Sequence, residues 1–216
     1  MLNDAGRQLL AALRDGMRQI DGALDQVRGD ELRGVVCAVG CPDLASAILA
    51  DAAARVIAAH PQLRVSVTAV RDPDVAALML RGDADVAVVT APPDHEDLRV
   101  ERLCELGRAV YAAAPLDGPP RMIVVGARGE QPDDGWPAGA PREVAGWAAD
   151  EAAALAICRR GGVATVAYDV IARAHDGLVP VGPPIAARAV YLVHRKPVGP
   201  QRRADVMAEA VRGTVR

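Results

Sequence analysis

Between Arg33 and Thr90 the hydrophobic period switches back and forth between that of a strand and that of a helix, and this alternation constrains the fold most. Val35, Val36, Ala38 and Val39 form a short apolar run ending at Gly40, as a buried parallel strand requires. Pro42 and Asp43 then open a helix reaching His60, with Leu44, Ala47, Ile48, Ala52, Val56 and Ile57 on its apolar side. Asp43 is expected to cap that helix and Pro61 to stop it. Leu63, Val65, Val67 and Ala69 alternate with polar neighbours as a second strand. Asp72 is expected to cap a second helix running through Leu80 to Gly82, and residues 84–90 form a third strand. Strand, helix, strand, helix, strand in this order predicts a doubly wound parallel sheet.

The remaining chain repeats the theme with less regularity. Residues 100–106 and 109–114 read as strands, after which Pro and Gly crowd around 117–120. A second, smaller α/β unit starts at Met122–Val125. It includes a Pro/Gly-rich loop from Gln131 to Pro141, expected to be the one floppy segment, then a strand near Val144 and a helix from Asp150 to Arg160. Residues 163–167 and 189–194 give two further strands, and residues 206–211 belong to a closing helix. No internal repeat is visible. Aromatic residues make up only 2% of the 216 and Phe is absent, so any core must be built from Ala, Val, Leu and Ile.

The first segment has a different pattern. Leu10, Leu13, Met17, Ile20, Leu24 and Val27 recur three and four residues apart, the seam of a coiled-coil contact. A helix this short needs a partner, either a second copy or its own globular domain; the charged residues flanking a narrow stripe favour a dimer. A net charge of -3 gives no basic excess with which to hold nucleic acid. No apolar run reaches the length of a membrane span and no secretory signal opens the chain, so a cytoplasmic location is expected. Cys37, Cys41, Cys104 and Cys158 lack the paired spacing of a zinc site; they are either small buried hydrophobes or a redox sensor. His60, His95, His175 and His194 are too scattered for a helical metal site. No nucleophile elbow, phosphate loop or dinucleotide fingerprint is present, and no cofactor, metal or catalytic residue is expected.

Taken in order, these segments resemble the LysR-type transcriptional regulators. LNDAGRQLL looks like the end of that family's DNA-binding wing and the start of its linker helix. ASAILADAAARVIAAHPQLRVSV resembles the first helix and second strand of its effector domain, and ALMLRGDADVAVV is the most specific match. LVPVGPPIAARAVYLVHRK is similar to the strand that crosses back into the first lobe. The resemblance implies an α/β, two-lobed fold like that of type 2 periplasmic binding proteins, with an effector held in the interlobe cleft. Residues 1–32 would be the linker and dimerisation helix, 33–107 with 188–216 lobe one, and 108–187 lobe two. It also implies a homodimer or tetramer. DNA would be reached only through a helix-turn-helix that these residues do not contain. The second lobe looks short between Pro115 and Asp150, and the position where the family often carries Ser or Thr for an effector carboxylate falls on Asp43.

Ligands of open α/β sheets bind beyond the carboxyl ends of the strands. Cys41, Pro42, Asp43, Arg71, Asp72, Thr90, Ala91, Trp136 and Asp150 fall at such positions and are the candidate ligand contacts. Free amides there attract anions, but Asp43 repels them, and Arg71 could restore the balance. A small polar or aromatic metabolite is therefore expected rather than a simple dicarboxylate. Asp43, Asp72 and Asp150 also read as plain helix caps, the commoner role of an aspartate at such a position. Trp136 could fold over a ligand or cover the core of the smaller lobe. Two alternatives to an effector-sensing region remain. One is a transferase or dehydratase on the same fold; the other is a stand-alone dimerisation partner that inhibits a full-length regulator.

Overall fold

A computed structural model describes residues 32–130, 132–196 and 201–215, together with residues 3, 5, 6, 9, 12, 13, 16, 17, 19, 20 and 23. The chain divides into two compact units, 1–104 with 190–216 and 105–189. The expected lobe limits were 107/108 and 187/188. Both divisions fall inside a strand, β4 (Leu98–Leu106) and β10 (Arg188–Arg195).

The first unit is built on the sheet β2-β1-β3-β10-β4. Strand β1 (Gly34–Gly40) pairs in parallel with β2 (Leu63–Ala69) and with β3 (Val86–Val89). Strand β10 returns antiparallel beside β3. The expected all-parallel sheet is thus a mixed one, because the returning strand enters from the far end of the chain. All four residues of β3 are buried, which is why its sequence is an unbroken VAVV run with no alternation. Strand β2, at the sheet edge, keeps only Leu63 buried.

Between β1 and β2 the chain is helical, as α1 (Pro42–Leu44), a π-helical stretch (Ala45–Leu49) and α2 (Ala50–Ala59). Cys41 occupies the position before the first turn and Pro42 the first helical position, so Asp43 lies inside the turn and is not the cap. Proline is preorganised for that first position and has no N–H to leave unsatisfied, which moves the start ahead of Asp43. Helix α3 (Asp72–Arg81) likewise starts one residue earlier than expected, with Arg71 at the capping position and Gly82 closing it in the left-handed conformation. The closing helix α6 (Arg202–Thr214) buries Ala204, Met207, Ala208 and Val211, one face at helical spacing. Each buried Met or Val of this kind stabilises by about 2 kcal/mol.

The second unit is built on the sheet β7-β6-β8-β5-β9. Strand β6 (Arg121–Val125) lies parallel to β7 (Glu143–Ala148) and β8 (Ala164–Tyr168), and β5 (Arg108–Ala112) is antiparallel to β8 and to β9 (Val179–Val181). Helices α4 (Glu151–Cys158) and α5 (Asp169–Ala172) complete it. Its core joins Val110, Met122, Val124 and Val166, with Trp136 packed against them. The loop expected to be floppy is tied down over its described residues. The Trp136 indole N–H donates to Ala140 O at 3.0 Å, Arg142 pairs with Asp134, and Arg188 holds Asp133 at 2.7 Å.

Candidate functional site

Because β1, β2 and β3 run in parallel, their carboxyl ends share one edge of the first sheet. Seven of the candidate residues, Cys41, Pro42, Asp43, Arg71, Asp72, Thr90 and Ala91, follow directly on those ends. Gly40 makes the close approach possible. A Cβ there would lie 2.8 Å from Val88 O and 3.4 Å from a Leu49 methyl. Only a residue without a side chain lets the helical turn begin against β3.

The centre of this edge is the Asp72 carboxylate. Its Oδ2 accepts from Thr90 N at 2.8 Å, the Thr90 hydroxyl at 2.9 Å and Ala91 N at 2.8 Å. Its Oδ1 is buried and has no hydrogen-bond partner among the described residues. Asp72 is therefore the internal anion of the amide pair after β3, rather than the cap of its own helix. The donors that could have received an anionic ligand are already committed to it. The unpaired Oδ1 is closed off by the protein itself, so it is a desolvation cost carried by the fold and not an acceptor open to a ligand.

Arg71 is mostly exposed, at 77%, and bonds to Asp74 at 3.4 Å. Cys41 faces the first turn, where burial, and to a smaller extent the Asp43 and Asp72 charges, push its thiol up to about 12 against the opposing Leu44 and Asp43 amides. The thiols of Cys37, Cys104 and Cys158 are also raised, in each case chiefly by burial. A redox sensor needs the opposite, a lowered and accessible thiol. Asp85 accepts from Cys37 N at 2.9 Å and Asp83 pairs with Arg81 at 2.8 Å, so neither is poised for proton transfer. Among the described residues no group of His, Cys, Asp or Glu could hold a metal ion.

In the second unit, Asp150 caps α4 by accepting from Ala153 N at 2.8 Å. Trp136 lies against the core, held by Ala140 and with Arg142 over its ring at 5.2 Å. At the carboxyl edge of this sheet a residue outside the expected set stands out. Arg108, the first residue of β5, pairs in register with Tyr168, the last of β8. Its guanidinium lies 5.5 Å from the Tyr168 ring centroid and donates to Asp134 O at 2.6 Å. Its Nε is buried and has no hydrogen-bond partner among the described residues. A lone arginine opening the short strand RAVYA carries no sequence signal for this.

The LysR substrate binding domain profile matches residues 29–216. The chain belongs to this family. Full-length LysG of Corynebacterium glutamicum, solved with bound effector Arg, is 16% identical, covers 100% of this chain and 79% of its own, and superposes with a TM-score of 0.76. ArgP of Mycobacterium tuberculosis is 17% identical, with 99% and 78% covered and a TM-score of 0.76. The regulatory domain of MexT from Pseudomonas aeruginosa is 14% identical, with 84% and 100% covered and a TM-score of 0.69. At such identities the likeness establishes the fold, the periplasmic-binding-protein-like α/β architecture expected from the sequence. Comparison with curated protein sequences gives no match. Among the described residues no helix is long and apolar enough to cross a membrane.

Proposed function

We propose that this LysR-family chain is the ligand-sensing region of a transcription regulator, binding a small metabolite and releasing it unchanged. The observation that carries this reading is that one effector-domain family spans both sheets, from residue 29 to residue 216. In support, polar side chains gather at the carboxyl edges of the two sheets, Arg71 and Asp72 on one and Arg108 on the other. The carboxylates there cap helices or bind amides and are not positioned as an acid–base pair. Cys41, Pro42, Asp43, Arg71 and Asp72 are the proposed contacts of the first unit.

The same reading makes the N-terminal segment a dimerisation helix acting for a DNA-binding module. Leu13, Met17 and Ile20 are helical and exposed, as is Leu9 one turn earlier. Leu10, Leu24 and Val27 of the expected seam lie outside the described residues. Exposed apolar side chains at helical spacing call for a covering partner, and a second copy is the proposed one.

A melting screen against a metabolite library tests the sensing role. A ligand at a hundred times its Kd should stabilise by about 2.7 kcal/mol. Mass spectrometry should then recover the compound unaltered. Conversion of the compound would favour an enzyme, and a library without a single stabilising compound would count against effector binding.

A further inference from the structure

We infer that Arg108 is the seat of an oxyanion group, a carboxylate or a phosphate, on the effector. The inference rests on the effector-binding reading above and names the ligand chemistry of the second unit. Arg108 is a partly buried cation with no carboxylate partner among the described residues. The nearby acids are all engaged elsewhere. In the loop after β6, Asp133 is taken by Arg188 and Asp134 by Arg142, leaving Arg108 only the Asp134 carbonyl. At the ends of β7 and β8, Glu151 accepts from Tyr168 N at 2.7 Å and Asp169 from the Tyr111 hydroxyl at 2.9 Å.

The guanidinium is also held in place before any ligand arrives. The Tyr168 ring packs beside it, the Asp134 carbonyl fixes Nη2, and Gly135 wraps round it. At Gly135 φ is +70°, a conformation that favours glycine, and a Cβ would make a tight 3.2 Å contact with Arg108 Nη1. Arg108 Nε is closed off by the protein itself, so a ligand would meet the guanidinium at Nη1, which has no acceptor among the described residues. Planar oxyanions match its fork of donors. At the carboxyl edge of the first sheet the Thr90 and Ala91 amides already bind the Asp72 carboxylate, and Arg71 is exposed and bonded to Asp74.

The test follows the arginine Nε–H signals of the full 216-residue chain by NMR at fixed ionic strength. The Arg108 signal is assigned through its own main-chain resonances and by its loss in Arg108→Gln. Titration with sodium benzoate, inorganic phosphate and neutral benzamide should move that signal with at least one anion and not with benzamide. Benzoate alone assigns a carboxylate, and phosphate alone a phosphate group. Arg108→Lys, which keeps the charge but loses the fork, should bind the active anion about tenfold more weakly. A signal that ignores both anions, or moves equally with benzamide, overturns the inference. So does a metabolite from the melting screen that binds Arg108→Gln as tightly as the unsubstituted chain, a result that leaves effector sensing intact. If Arg108→Gln does not fold, the benzoate and phosphate titrations against benzamide decide alone.

Discussion

Replacing Asp72 with Ala separates a structural anion from a ligand contact. The carboxylate takes three short hydrogen bonds on one oxygen, two of them from the backbone amides of Thr90 and Ala91. Hydrogen bonds to a charged group contribute about 1.5–3 kcal/mol each when buried. Ala91 is exposed, so water replaces its bond at little loss, and the Thr90 hydroxyl can turn to another acceptor. The Thr90 amide is the donor that suffers most. Against this stands the unpartnered Oδ1, whose desolvation costs about 1–3 kcal/mol in the native protein and disappears with the side chain. The net expectation is a loss of about 2 kcal/mol in Asp72→Ala, read as a lower urea midpoint at unchanged slope.

The same substitution should also create an anion site, because two amides that pointed at a carboxylate now point at a vacancy. Inorganic phosphate at constant ionic strength should raise the melting temperature of Asp72→Ala more than that of the unsubstituted chain. Asp72→Asn keeps an acceptor oxygen and should fall between the two in both measurements. A variant at least as stable as its parent, with no gain in phosphate response, would refute the assignment of Asp72 as the internal anion of this edge.

Gly40→Ala places a methyl 2.8 Å from Val88 O and should cost about 1–3 kcal/mol in urea denaturation; a neutral result would mean that α1 does not start against β3. Glu151 is 5% exposed and accepts from Tyr168 N, so Glu151→Ala should destabilise by about 2 kcal/mol, with unchanged stability as the contrary outcome. Acid should destabilise the first unit through two groups. Burial, and next the Arg99 charge, lower the His194 pKa, so below 6.5 the unfolded chain takes up a proton that the folded one refuses, and stability falls with pH. The Glu101 carboxyl is held below its usual 4.5 by bonds from Arg212, and its contribution is lost as pH falls through that lowered value. Urea midpoints should fall from pH 7 to pH 4, and His194→Asn should flatten the upper part of that slope; an unchanged slope would remove His194 from the account. Cys41, raised from 9.0 to about 12, has about a thousandfold less thiolate at pH 7.5 than an ordinary thiol, so iodoacetamide should label it only on unfolding, and rapid native labelling would restore the redox alternative.

Buried parallel strands could be read from the sequence because burial on both faces leaves an unbroken apolar run, as in VAVV of β3 and MIVV at residues 122–125 of β6. Strand β9 could not: its middle residue is Pro180, and only its place at the sheet edge, against Val110–Ala112, tolerates a residue without an N–H. The first helix starts ahead of Asp43 because the proline before it is preorganised for the first helical position, a signal that outweighs the acidic residue. At the site, the list of edge residues followed from strand ends alone, but their partners did not. Asp72 and Thr90 are eighteen residues apart, and nothing in either local sequence says that one caps the other. Arg108 was invisible for the same reason, since its neighbour Tyr168 is brought beside it by antiparallel register and not by spacing.

The two sheets have no sequence repeat, yet each places its parallel trio in the same order, with the first strand between the second and the third. That order sends one connection to the left of the first strand and the next to its right. The carboxyl ends of the first and third strands therefore lie where the connections diverge. What occupies that point is opposite in sign. Beside β1 and β3 it is a carboxylate seated on backbone amides; beside β8 it is a guanidinium without a counter-charge among the described residues. The topology explains why both edges gather side chains from separate connections. On the proposed effector-binding reading, the choice of ligand would rest on Asp72 and Arg108, two side chains that the topology leaves free to vary. Exchanging the charge at position 72 or 108 should therefore alter what is bound while leaving both sheets in place.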